Sequence, residues 1–129
     1  IDNIARFVDT QTVITAVEEN PTDVNHAPLQ ANLERLRSVR AEKDAPLRII
    51  ELPMPGSVEF KGERLPASYT NFYIGNSAIL LPTYNHPNDL QAKTILQDCF
   101  TDREVIAIDS TDLAWGQGSF HCLTQQEPA

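Results

Sequence analysis

One pattern constrains the fold of this chain more than any other: strand, turn, strand, loop, helix, strand, written twice. The first copy opens with two β-branched and aromatic runs, IARFV at 4–8 and TVITAV at 12–17. Asp9, Thr10 and Gln11 separate them, which predicts a β-hairpin. Glu18 to Ala27 carries Asn20, Pro21, Asp23 and Asn25, residues that favour a loop through local hydrogen bonds or a fixed φ. From Pro28 onward Leu29, Leu33, Leu36 and the aliphatic stem of Arg40 fall three and four positions apart. That spacing predicts a helix ending near Lys43 to Ala45, before Pro46. LRIIELP at 47–53 then reads as a strand.

A stretch crowded with breakers, Met54 to Pro66, reads as a loop. The pattern then restarts. NFYIG at 71–75 and AILLP at 78–82 predict a second hairpin around Gly75-Asn76, both of which accept positive φ. Ala92, Ile95, Leu96 and Cys99 share one face of a second helix after Pro87, and EVIAID at 104–109 closes the unit. In this alignment Phe7-Val8 corresponds to Tyr73-Ile74, and Val13-Ile14 to Ile79-Leu80. Repeated ββαβ units of this size bury their faces against neighbours, and two of them do not close a ring. The expectation is therefore a partial set of units, about 1–66 and 67–110, with a closing segment at 111–129, belonging to a larger barrel or propeller.

Composition narrows the function. A formal net charge of −8 argues against nucleic acid, which needs clustered Lys and Arg; it suits a small cation, or solubility alone. No run is long enough to span a membrane, so no membrane partner is expected. The N-terminal IDNIARFVDT has neither a basic start nor an apolar segment, and no initiating Met, so Ile1 is read as an internal position. Cys99 and Cys122 form no CxxC pair, which speaks against a metal site and for a reducing, cytoplasmic setting. With the true N-terminus outside the sequence, a periplasmic or secreted origin stays open.

The segment most suited to chemistry is GQGSFHCLTQQ at 116–126. Gly116 and Gly118 allow a sharp turn and close approach of backbone to a ligand, and a Cys presented there can act as a nucleophile where its surroundings stabilise the thiolate. Cys99, on an apolar helix face, reads as packing. His121 adjoins Cys122, but neighbours on a strand point to opposite faces, so a structural role is expected for it. His26 and His86 precede the two helices and read as surface or capping residues. Asn3 and Asn71 recur near strand starts and read as backbone-orienting residues. Trp115 either walls the site or fills core.

Three blocks, ELPMP at 51–55, SYTNFYIGNSAILLP at 68–82 and WGQGSFHCLTQQEP at 115–128, together resemble the agmatine deiminase and Porphyromonas-type peptidylarginine deiminase family of the pentein superfamily. The resemblance covers nearly the whole chain as the C-terminal part of a longer enzyme. It implies an α/β propeller of five ββαβ units, of which this chain holds about two plus a final strand. It also implies hydrolysis of a guanidine, agmatine first and peptidylarginine as the alternative, with no metal or organic cofactor. Cys122 would be the nucleophile. Asp2 would bind the guanidinium as the end of an H-x-D motif whose histidine lies one residue before Ile1, and Trp115, Gly116 and Gly118 would line the substrate. Many agmatine deiminases have a glycine-rich run where this chain has Gln117 and Ser119, which leaves the choice of substrate open. The missing N-terminal part of the enzyme is the expected partner, without which the fragment is expected to be inactive; a homo-oligomer stays open.

Overall fold

Each of the two sequence units folds into a three-stranded sheet with a helix between its last two strands. The computed structural model describes residues 1–40 and 45–127. In the first unit β1 (Ala5–Phe7) runs antiparallel to β2 (Thr12–Val17), α1 (His26–Ser38) crosses over, and β3 (Arg48–Pro53) pairs parallel with β2. A short hairpin, β4 (Glu59–Phe60) and β5 (Glu63–Arg64), intervenes. The second unit repeats the scheme: β6 (Tyr73–Ile74) antiparallel to β7 (Ala78–Thr83), α2 (Asn88–Cys99), then β8 (Glu104–Asp109) parallel to β7. The central strands β2 and β7 are rich in β-branched and leucine side chains, as strands hydrogen-bonded on both edges require.

Several local expectations are corrected. Helix α1 begins at His26, with Pro28 in its first turn, and stops at Ser38; Val39 is already extended, with ψ of 142°. Arg40 forms an antiparallel bridge with Pro46 instead of lying on the helix face, because the chain must turn back to lay β3 beside β2. The expected end at Lys43 lies outside the described residues. Within 54–66, Lys61 and Gly62 both take positive φ, 51° and 82°, and turn the β4–β5 hairpin that a breaker-rich stretch concealed.

Gly75 and Asn76, by contrast, are not among the positive-φ residues. Gly75 is held by a bond from its N–H to the Ala78 carbonyl (2.9 Å), and an added Cβ would lie 3.0 Å from that same oxygen. The glycine answers to close approach, not to φ. The repeat is also offset by one residue in its first strand. Val13↔Ile49 and Ile79↔Val105 occupy the same place in the parallel ladders. Val13 faces Phe7 and Ile79 faces Ile74, so Phe7 corresponds to Ile74 and not to Tyr73. The hairpin connection is one residue shorter in the second unit, and a one-residue change reassigns every partner along the strand.

The units share one core. Ile14, Leu52, Tyr69, Phe72, Ile79, Leu81, Leu96 and Val105 are fully buried within a single cluster. Helix α2 packs on β3 of the first unit as well as on its own β8, and the 3-10 turn Tyr69–Asn71 touches β2, β3 and β7. Arg6 ties the seam: it lies 4.4 Å over the Phe72 ring and donates to the carbonyls of Thr70 (3.4 Å) and Phe72. A buried guanidinium with carbonyl acceptors and a π face is better satisfied than one with packing alone.

Phe72 sits at this seam with no exposed surface, edge-on to Phe100. Phe72→Ala is expected to lower unfolding free energy by about 3–5 kcal/mol in urea titration, the range for emptying a buried aromatic site.

Candidate active site

Sequence places Asp2, Asn71 and Cys122 far apart, and the two units bring them together at one end of the sheets. Asp2 lies in the turn before β1, closed by bonds from the Ile4 and Ala5 N–H groups to the Ile1 carbonyl (2.9 and 3.0 Å). Asn71 ends the 3-10 turn before β6, whose start is capped by Ser68: its side chain accepts from the Thr70 N–H at 3.3 Å and donates to the Asn3 carbonyl at 2.9 Å. The chain leaving β8 forms a second 3-10 turn, Leu113–Gly116, and then bends through Gln117 in the left-handed region at φ 67°.

Cys122 is therefore not on a strand. Among the described residues, 117–127 form turns only, held by bonds from the Leu123 N–H to the Ser119 carbonyl (3.1 Å) and from the Thr124 N–H to the His121 carbonyl (3.2 Å). The segment is anchored on Asn71, whose Oδ1 accepts from the Ser119 N–H (3.1 Å) and the Cys122 N–H (3.3 Å), while its main-chain oxygen accepts from the His121 N–H (3.1 Å). The Asn71 Nδ2 amide donates to Asn3 Oδ1 at 2.6 Å and to Cys122 Sγ at 3.0 Å, and reaches Asp2 Oδ2 at the 3.5 Å limit. Asn71 is 1% exposed, so these bonds satisfy an otherwise costly buried amide.

The Asp2 carboxylate gathers the rest. Its Oδ2 accepts from the Cys122 thiol at 3.2 Å and from the His121 ring at Nδ1, 2.9 Å away. Adjacent residues reach one carboxylate because a turn, unlike a strand, does not alternate its side chains. This corrects the expectation that His121 points away from the nucleophile. Burial pushes the Asp2 carboxyl upward, but hydrogen bonds from Cys122, from His121 and from its own backbone outweigh it and lower it to about 2. Beneath the site, burial drives the phenols of Tyr69 and Tyr84 upward, Tyr84 to about 12, so both remain neutral hydrogen-bonding groups.

The two glycines differ. A Cβ on Gly118 would fall 2.5 Å from Cys122 Cβ and 2.8 Å from Sγ, so the thiol packs directly on bare backbone. A Cβ on Gly116 would meet nothing within 4 Å among the described residues, and the sharp turn expected of the glycines passes through Gln117, in the left-handed region. Trp115 is not core: it is 50% exposed and stacks on Phe60 of β4, ring centroids 4.0 Å apart. Cys99 is a half-buried free thiol packed against the core, where burial raises its pKa. A cavity of about 390 Å³ borders the cluster, reached by Asn3, Ser68 and Gln117 and walled further out by Arg64, Leu65 and Met54. His26 donates from Nδ1 to the Glu18 carbonyl, and His86 Nδ1 accepts from the Asn88 N–H; neither joins the cluster. Sequence reasoning undervalued Asn71 and His121; the signal for the first was a polar residue at the start of an otherwise apolar run, and for the second there was none without the turn.

Comparison with known proteins converges on one group. The family profile of the Porphyromonas-type peptidyl-arginine deiminase matches residues 1–128. An agmatine deiminase of Pseudomonas fluorescens is 35% identical over 147 aligned residues, covering all of this chain and 40% of the relative. A crystal structure of a Porphyromonas gingivalis protein described as an arginine deiminase superposes with a TM-score of 0.96 at 42% identity, over 98% of this chain and 38% of the other. A substrate-bound agmatine deiminase of C. jejuni, a cysteine-to-serine variant, superposes with a TM-score of 0.86 at 29% identity, over 93% of this chain and 34% of the other. The chain thus spans about 40% of the length of the curated relatives it matches.

Two outcomes follow from the geometry. Gly118→Ala is expected to cost about 1–3 kcal/mol and displace Cys122, whereas Gly116→Ala should fall within about 0.5 kcal/mol of wild type in thermal unfolding. Asp2, with its folded value depressed from 3.8 to about 2, contributes stability that is complete above pH 3.8 and is lost as pH falls through about 2. The stability difference between wild type and Asp2→Asn should therefore shrink over that window in pH-dependent denaturation.

Proposed function

We propose that this chain, which belongs to the Porphyromonas-type peptidyl-arginine deiminase family, is the nucleophile-bearing part of a hydrolase acting on a guanidine, with agmatine as its substrate. The observation that carries the reading is the meeting of Cys122 Sγ, in the closing segment, with the Asp2 carboxylate of the first unit, 3.2 Å apart. A carboxylate beside a thiol is a receptor for a planar cation whose carbon is the electrophile.

In this reading Asp2 accepts hydrogen bonds from two guanidinium nitrogens. The thiolate of Cys122 adds to the guanidinium carbon, forming a C–S bond. The C–N bond to the terminal nitrogen then breaks, and that nitrogen departs as ammonia after taking up a proton. Water adds to the resulting thiouronium carbon, the C–S bond breaks, and the ureido product leaves with the thiol restored. Asn71 Nδ2, 3.0 Å from Sγ, stabilises negative charge on sulfur at attack and release. Trp115, Gly116 and Gly118 flank the substrate's path, and the proton-transfer histidine comes from outside these 129 residues.

Architecture supports a larger assembly of ββαβ units, the pentein ring. By ladder position Ile50 and Leu52 of β3 correspond to Ile106 and Ile108 of β8. In the first unit α2 covers β3, leaving Leu52 wholly buried. In the second, Ile106 and Ile108 are each 39% exposed, an apolar face shaped for a further unit.

Peptidylarginine is the second reading. It is favoured by the family profile, that of a peptidyl-arginine deiminase, which matches residues 1–128. The intact protein is expected to release ammonia and N-carbamoylputrescine from agmatine, assayed by product chromatography. No turnover of agmatine with turnover of a C-terminal arginine peptide moves the assignment to the second reading. Cys122→Ser should lower kcat roughly a thousandfold or more on either substrate. The 129 residues alone should be inactive.

A further inference from the structure

We infer that His121 is a positioning residue for this reaction, fixing the Asp2 carboxylate in the plane in which it receives the guanidinium. The consequence for catalysis rests on the deiminase reading; the contact itself does not.

Three groups meet Asp2 Oδ2, and they are not equivalent. Cys122 Sγ at 3.2 Å must leave the oxygen when it attacks carbon, so its bond is lost within the reaction. Asn71 Nδ2, at 3.5 Å, is nearer to Asn3 Oδ1 (2.6 Å) and Sγ (3.0 Å) and has only two protons to give. His121 Nδ1, at 2.9 Å, is the one short bond to Oδ2 that persists throughout. To make it the ring must carry its proton on Nδ1.

The backbone that carries the ring is itself well held. The His121 N–H donates to the Asn71 carbonyl (3.1 Å), and the His121 carbonyl accepts from the Thr124 N–H (3.2 Å) and hydroxyl (3.3 Å). An Asp carboxyl otherwise rotates in a broad χ2 well. With Oδ2 held by His121, the plane of the carboxylate that would receive the guanidinium is fixed. The side chain is one-third exposed, so the ring stands at the mouth of the site and not in the core.

The test compares His121→Ala, His121→Asn and His121→Gln in the intact protein. His121→Ala should raise KM for agmatine about tenfold or more, the loss of one charge-assisted hydrogen bond, with kcat changed less than about threefold. His121→Asn places an amide nitrogen where Nδ1 lies and should restore most of the affinity; His121→Gln should not. A fall in kcat at constant KM, or an unchanged KM in His121→Ala, overturns the inference. A second readout needs no turnover: the Asp2 carboxyl, followed by carbon-13 NMR titration, should move upward from about 2 toward 3.8 in His121→Ala and return in His121→Asn. The other groups facing it, Cys122, Asn71 and Arg6, are common to all variants. No movement overturns the positioning role. An active Cys122→Ser would instead refute the deiminase reading and leave the titration result standing.

Discussion

The structure depends on one buried amide. Asn71 uses its side chain and its main-chain oxygen to hold Asn3, Ser119, His121 and Cys122, residues from the first unit and from the closing segment. An unsatisfied buried amide costs roughly 1–3 kcal/mol for each group left unpaired, so partial assembly is disfavoured. The closing segment, which has no ladder of its own, thereby takes a definite shape. A site spread over 120 positions of sequence is fixed by an interaction with one residue near the middle of the chain.

That residue can serve because the repeat delivers it. The units place their first strands, β1 and β6, antiparallel to the central strands, so the turns entering them lie at the same end of the molecule. Asp2 and Asn3 enter β1 and Asn71 enters β6, while the chain leaving β8 is led back to the same end by the bond from the Ser110 N–H to the Thr83 carbonyl (2.8 Å). Arg6 on Phe72 and the shared core lock the relative placement of the two units. Packing away from the site thus sets the distances within it.

Much of the scaffold was legible because periodicity is local. Both hairpins, both helices and both parallel strands follow from alternation and helical spacing. What misled was information carried by distant partners. The helix pattern through Leu36 continues formally to Arg40, yet Arg40 is claimed by a bridge to Pro46. Gly75 looked like a φ requirement and is a contact requirement. The one-residue offset between Phe7 and Ile74 depends on a connection length that the two hydrophobic runs do not reveal. For the site, Cys122 and Asp2 were legible through the motifs resembling a known family. The orientation of His121 was not, because it follows from a turn made by hydrogen bonds to Asn71, some 50 residues upstream in sequence.

On the deiminase reading proposed above, the contact between Cys122 and Asp2 would let one carboxylate serve two partners in turn. With no cation present, the thiol donates a hydrogen bond to Oδ2. A guanidinium bound to Asp2 would neutralise the carboxylate and place positive charge against the sulfur. The Asn71 amide, already 3.0 Å from Sγ, then has a full anion to donate to, while the bond from thiol to carboxylate is no longer needed. In the proposed reaction, the cation that would stabilise the thiolate is the same group that the thiolate would attack.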